Sequence, residues 1–430
     1  MNRLSRLVTA VSIAVTLIGA TATAAADTRS IPALGNYQLG SEILGFTNTP
    51  VIPLVQVTSP GEDPFYTPPS PLPAGAPGTL LGSRKVNVQF DALIAPLPLI
   101  VNAWQIQYLS TDTLGHPVMD IATVIVPFGA SKNAPLLSYQ TATDSDSLNF
   151  STSYLLRTGG ELETALFGLG LMKGWKVVVP DFEGLDAQYT AGRQAGHATL
   201  DAIRAAEQLS QANFKDGTAT PVVMWGYSGG AQATAWATEL QPTYAPELNI
   251  LGAAEGGIPV NVAHVANLID GSPFSGIYFA AAIGLSRAYN LPIQSMLNSQ
   301  GQTMYNHVSN YSISEALSGY ALQHINDYLL PAYQNPLQLP QFQGIVTDDT
   351  LGQATPTVPL YIYGGTISDI LPEADAHALG EQYCAAGVLV QAQFFPGEHL
   401  TSVVTGALPA LAWLSDRVAG KMAPNNCGSF

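Results

Sequence analysis

The chain has 430 residues, 47% hydrophobic and 11% charged, with 31 Asp and Glu against 15 Lys and Arg, for a formal net charge of −16. This length and apolar share are ample for a large buried core. The acidic balance excludes nucleic acid as a partner and opposes binding to anionic membranes.

Residues 1–26 carry two basic side chains (Arg3, Arg6), an apolar stretch over 7–18 and a small-residue end at Ala24-Ala25-Ala26. These are the three parts of a cleavable secretory signal, and the stretch is short for a membrane span. Cleavage is expected near Ala26, giving a secreted protein, whether released or held at the cell wall. Residues 27–80, with "EDPFYTPPSPLPAGAPG", are rich in fixed φ angles and missing N–H donors, which predicts an extended arm. Strand-like segments follow at 86–90, 104–110 and 121–126, spaced as antiparallel hairpins, and then at 136–139. From there the pattern alternates. Helical sequence over 161–173 leads into "WKVVVPDFEG", a helix over 197–212 precedes a strand at 222–225, and a helix over 229–240 follows. Further strands are predicted at 249–252, 360–363 and 388–395. Alternating helices and buried β-branched strands predict an α/β protein with a mostly parallel sheet. Residues 258–350 have little strand signal and apolar helical stretches such as "FSGIYFAAAIGLSRAY", and read as a helical insertion between body segments 81–257 and 351–430. In an oxidising compartment the two cysteines, Cys384 and Cys427, are expected to form one disulfide, with two free thiols as the alternative.

In a parallel sheet, functional groups collect beyond the carboxyl ends of the strands. There the sequence reads Gly226-Tyr227-Ser228-Gly229-Gly230, between a strand and a helix. G-x-S-x-G is weak as a bare pattern. In this position it marks Ser228 as a nucleophile on a strained turn, with the N-terminus of the following helix directed at the developing oxyanion. Serine needs a base, and the base needs an orienting acid, in the chain order Ser, acid, His. His399, in "FFPGEHLTSVV", sits in a loop after the 388–395 strand and before the last helix, whereas His377 reads as an ordinary helix residue. Asp369 is the sole carboxylate of "TISDILP" after the 360–363 strand; Glu373 and Asp375 fit the start of the next helix. No His, Cys and Asp grouping has metal-ligand spacing, so neither metal nor cofactor is expected.

The segments "EDPFYTPPSPLPAG", "LLSYQTATDSDS", "WGYSGGAQATAWA", "PFSGIYFAAAIGLSRAY", "PGEHLTSVVTGALPALAWLSDRVAG" and the terminal "NNC" together resemble the secretory lipase family of secreted actinobacterial and fungal triacylglycerol lipases, from about residue 60 onward. The resemblance implies an α/β-hydrolase fold with a helical cap and hydrolysis of lipid carboxylic esters; the expected partner is a lipid ester, with or without a lipid–water interface, and the expected state is a monomer. It also implies Ser228 as nucleophile, His399 as base and Gly229 at the oxyanion hole, with Asp144 of "YQTATDSDS" at the other side of that hole or else an ordinary loop residue. Two departures stand out. The family's acid position in D-x-x-V-P is Ser368 here, so the aspartate is displaced by one, and a cysteine often found after "YQTA" is absent. "FSGIYFAAAIGL" is the best candidate for a substrate-lining stretch, unless its side chains form the cap's own core. A short-chain esterase, a peptidase, an acyl transferase to other alcohols and a lipid-binding pseudoenzyme are the rival readings.

Overall fold

The computed structural model describes residues 57–90 and 100–430, so the signal, most of the arm and residues 91–99 lie outside the described residues. Among the described residues nine strands form one sheet in the order β1-β2-β3-β5-β4-β6-β7-β8-β9. β1 (Leu80–Val86), β2 (Val101–Thr111) and β3 (Pro117–Pro127) make an antiparallel meander. β3 also pairs antiparallel with β5 (Lys176–Pro180). Beyond that junction β5, β4 (Leu136–Gln140), β6 (Val222–Tyr227), β7 (Ile250–Gly256), β8 (Leu360–Gly365) and β9 (Val390–Phe395) are parallel.

Within the body the helices are α1 (Thr152–Thr158), α2 (Thr164–Met172), α3 (Gly192–Gln208) and α4 (Gly229–Tyr244). Between β7 and β8 come α5 (Val262–Ile269), α6 (Ser275–Ala288), α7 (Ser299–Val308), α8 (Ile313–Tyr320) and α9 (Pro340–Asp348); α10 (Glu373–Ala385) and α11 (His399–Val418) close the chain. Every residue of β4, β5 and β6 is buried, because helices cover both faces of the sheet. Successive side chains alternate between those faces. Val222 and Met224 pack with α3, α4 and α10, while Val223, Trp225 and Tyr227 pack with α2 and α11. The Trp225 indole N–H finds its acceptor in Tyr363 Oη at 2.8 Å, so its burial leaves no donor unpaired.

Three expected boundaries move, each for a tertiary reason. The first strand lies at 80–86 and not 86–90, since β2 pairs with "LLGSRKV" from Leu80 to Val86. α3 begins at Gly192, five residues before the expected start: Asp349, from the far end of the insertion, accepts the Gly192 N–H at 2.8 Å. β7 runs on through "AAEG" despite its weak strand propensity, because this stretch pairs with β6 on one side and β8 on the other, and its last position needs glycine. A Cβ on Gly256 would stand 2.3 Å from the Tyr363 ring.

The five helices between β7 and β8 enclose an apolar core of their own, including Ile269, Phe279, Ile283 and Met304. Phe279 and Ile283 of the stretch proposed as substrate lining therefore pack inside this unit. It is fastened to the body by Arg287, which donates to Asp146 O at 2.6 Å, and by Ser145 Oγ, which donates to Tyr311 O at 2.9 Å. At the other end of the sheet Cys384 and Cys427 are bonded, with Cα atoms 5.6 Å apart. The tail they anchor lays Asn426 along β9, where its N–H reaches Val390 O at 3.0 Å and its side chain pairs with the Ala392 main chain. This covers an edge that would otherwise be open to another strand.

Buried carboxyls are a second feature of this fold. Burial pushes Asp120 and Glu255 up to about 8 and Asp144 and Asp181 up to about 7, and it lifts Asp146 and Glu183 well above the usual range. Each holds its proton in the folded chain at pH values where the unfolded chain has released it. Their contribution to stability is complete below about pH 4 and is lost as pH rises through 7 to 8. His197 and His399, both pushed down to about 4 by burial, act in the opposite sense below pH 6.5 but are fewer. Thermal unfolding is therefore expected at a higher temperature at pH 5 than at pH 8; a higher melting temperature at pH 8 would contradict this.

Candidate active site

β6 ends at Tyr227, and the next residue leaves the strand at φ 55°, ψ −124° before α4 begins. That residue is Ser228, the N-cap of α4. A side-chain-bearing residue at this φ is strained, and such strain persists only where surrounding packing fixes it. The packing is tight. A Cβ on Gly226 would lie 2.2 Å from Gly230 O, one on Gly230 would lie 2.0 Å from Gln140 O, and one on Gly229 would lie 2.1 Å from Asp144 Oδ1. The glycines thus let α4 and the loop after β4 close around a single serine. Ser228 N–H is itself held by Gly256 O at 2.8 Å.

His399 reaches Ser228 from the opposite side. It is the first residue of α11, behind the N-cap Glu398, and its Nε2 lies 2.9 Å from Ser228 Oγ. Burial holds the imidazole down to about 4, so it is neutral and able to accept a proton over the whole range above that value. Gly229 N–H, first in α4, has no acceptor within the helix, and the positive end of the helix dipole lies at the N-cap serine. Asp144 flanks the same glycine. It is buried, at positive φ (51°), and its Oδ1 has no partner among the described residues. Burial, with a smaller push from the Glu163 charge, raises it to about 7, so below that pH it carries a proton that it can donate.

Asp369 also arrives at His399, though at a different atom from the one expected of an orienting acid. Its Oδ1 accepts the main-chain N–H of His399 at 3.1 Å. Ser368, at the position where the resemblance expects the acid, turns away: its Oγ accepts the Glu373 N–H at 3.0 Å, at the start of α10. Glu373 and Asp375 lie in the first turn of α10, as read from the sequence, and Asp375 pairs with His264 at 3.0 Å. Sequence reasoning passed over Tyr227. It is the variable residue of the serine motif, and its Oη donates to His399 O at 2.6 Å. It also missed the buried acids Asp181 and Glu183 of "VVVPDFEG", whose only signal was charge inside an apolar run.

A secretory lipase family model matches residues 153–426, more than half of the chain and the whole stretch from α1 through the serine turn to the histidine helix. The chain belongs to the secretory lipase family. Lipase 4 of Candida albicans is 34% identical over 87% of this chain and 85% of its own length. A Mycobacterium tuberculosis protein described as a probable inactive lipase is 33% identical over 84% of this chain and 83% of its own. Among solved structures, Candida antarctica lipase A in its closed state superposes with a TM-score of 0.80 at 31% identity, covering 87% of this chain and 89% of that one. The chain therefore has the α/β-hydrolase fold of this secretory family. Among the described residues no helix is long and apolar enough to cross a membrane, and no group of three or more His, Cys, Asp or Glu side chains could hold a metal ion.

Proposed function

We propose that this member of the secretory lipase family hydrolyses carboxylic esters of lipids through an acyl-enzyme on Ser228. The observation that carries the reading is the 2.9 Å contact between Ser228 Oγ and a neutral, buried His399 Nε2 at a strained strand-to-helix turn. In the first step His399 takes the serine proton as Oγ attacks the ester carbonyl. Gly229 N–H and the protonated Asp144 stabilise the oxyanion, and the imidazolium then protonates the departing alcohol. Water repeats the sequence and releases the fatty acid. Ser228, His399 and Asp144 all come from one chain, which supports action as a monomer. Exposed Leu268, Leu322 and Leu330 on the helical unit and Ile367 on the β8–α10 loop support contact with a lipid–water interface. With the leader read at residues 1–26, the protein acts outside the cell.

The second reading, a lipid-binding protein without turnover, is favoured by two observations. The Asp369 carboxylate meets the main chain of His399 and not its ring, and one relative is described as a probable inactive lipase. Hydrolysis of 4-nitrophenyl esters from two to sixteen carbons, with emulsified triacylglycerol alongside, separates the two. Turnover that rises toward long chains and extends to triacylglycerol is the expected result, and turnover confined to two to four carbons would make the protein a short-chain esterase. A folded protein inert toward every ester would leave the binding reading.

A further inference from the structure

We infer that His399 is oriented through its main chain, by Asp369 at its N–H and Tyr227 at its C=O, so that Ser228 and His399 work as a dyad that requires a hydrogen-bond acceptor at residue 369 but no negative charge there. This rests on the hydrolase reading above and deepens it. Asp369 Oδ1 takes the His399 N–H at 3.1 Å, and Tyr227 Oη donates to the His399 carbonyl at 2.6 Å. As the first residue of α11, His399 has a main-chain N–H with no partner inside its helix, so a carboxylate from the β8–α10 loop fixes both the helix start and the ring it carries. The ring itself rests on glycine. A Cβ on Gly257 would stand 2.7 Å from His399 Cε1 and 3.0 Å from Nδ1, so this edge of the imidazole lies over a bare α-carbon at the end of β7. Tyr227 closes the remaining side, with its ring centroid 5.0 Å from that of His399.

Of the titratable groups at the histidine, Asp369 accepts its main-chain N–H, Glu398 precedes it as N-cap and the Tyr227 hydroxyl donates to its carbonyl, while Asp144 stands against Gly229 beside the serine. Burial is what pushes the His399 pKa down. Burial also raises Asp369, so its charge is disfavoured in place. Tyr227 has a further consequence because it precedes Ser228 directly. One dipeptide holds the nucleophile and grips the base, so a displacement of the turn carries both together.

The test compares Asp369→Asn, Asp369→Ala and Tyr227→Phe with wild type for kcat, KM and the pH profile of kcat/KM. Asparagine keeps an acceptor oxygen, so Asp369→Asn is expected to lower kcat by about tenfold or less and to leave the acid limb within about half a pH unit of wild type. Asp369→Ala removes the acceptor and is expected to lose on the order of 10²-fold in kcat, and Tyr227→Phe about tenfold, both at nearly unchanged KM. If Asp369→Ala fails to fold, the other two variants still decide. A loss on the order of 10³ to 10⁴ in Asp369→Asn, with a shifted acid limb, would mean that the carboxylate serves the ring as in an ordinary triad. That outcome overturns the clamp and leaves the hydrolase standing. Wild-type kcat in Tyr227→Phe would remove the tyrosine from it. Ser228→Ala turning over as fast as wild type would instead remove the hydrolase reading underneath.

Discussion

Ser228→Ala is expected to lower kcat for ester hydrolysis by a factor on the order of 10⁶. The size of this effect follows from what the serine shares. In the proposed mechanism its Oγ is the atom that forms the covalent bond, and His399 lies 2.9 Å from it. His399→Ala is expected to cost nearly as much, and the double variant little more, because nucleophile and base act as one unit. The serine is also half-buried at the N-terminus of α4, where alanine fits without new contacts, so the variant should unfold at the wild-type temperature. Loss of activity with unchanged stability is the signature. Residual turnover within tenfold of wild type, from protein purified free of other esterases, would contradict it.

Gly230→Ala is expected to destabilise the chain by about 3 kcal/mol or more and to abolish activity in whatever folds. The added methyl would sit 2.0 Å from Gln140 O and 2.7 Å from Gln140 C. Both are backbone atoms of β4, a central and fully buried strand, so neither can swing aside as the end of a side chain could. Relief requires α4 to lift away from the sheet, which moves Ser228 from His399. Gly226→Ala meets the same obstacle from the other side, with Gly230 O at 2.2 Å. Urea unfolding gives the stability change and a parallel activity assay the second half. Wild-type midpoints for Gly230→Ala would show that the turn is looser than the packing implies.

The legible part of this protein was whatever a single segment could specify. β4, β5 and β6 announce themselves as short apolar runs because helices cover both of their faces, and the turn after β6 is readable because only glycine tolerates its contacts. His399 could be picked out as a candidate base because a base on this architecture follows the last strands, and the structure brings it to Ser228. What depended on distant partners was hidden. The start of α3 is set by Asp349, 157 residues away in sequence, and no local cap signal replaces it. Asp369 was legible as a carboxylate near the base. Which atom of His399 it meets depends on how the β8–α10 loop turns, and that loop places Ser368 on the α10 N-terminus instead. Tyr227 was invisible for a simpler reason. As the variable residue of its motif it carries no pattern, and its hydroxyl meets His399 only because β6 and α11 pack side by side.

The most direct test of the account is covalent. The folded protein would be treated with diethyl 4-nitrophenyl phosphate, which phosphorylates activated serines, and the site of modification located by mass spectrometry of its peptides. One phosphoryl group per chain on Ser228, blocking hydrolysis and absent from both Ser228→Ala and His399→Ala, is the predicted result. A folded chain left unmodified at Ser228 while still cleaving esters, or modified equally when His399 is removed, would contradict a serine activated by this histidine.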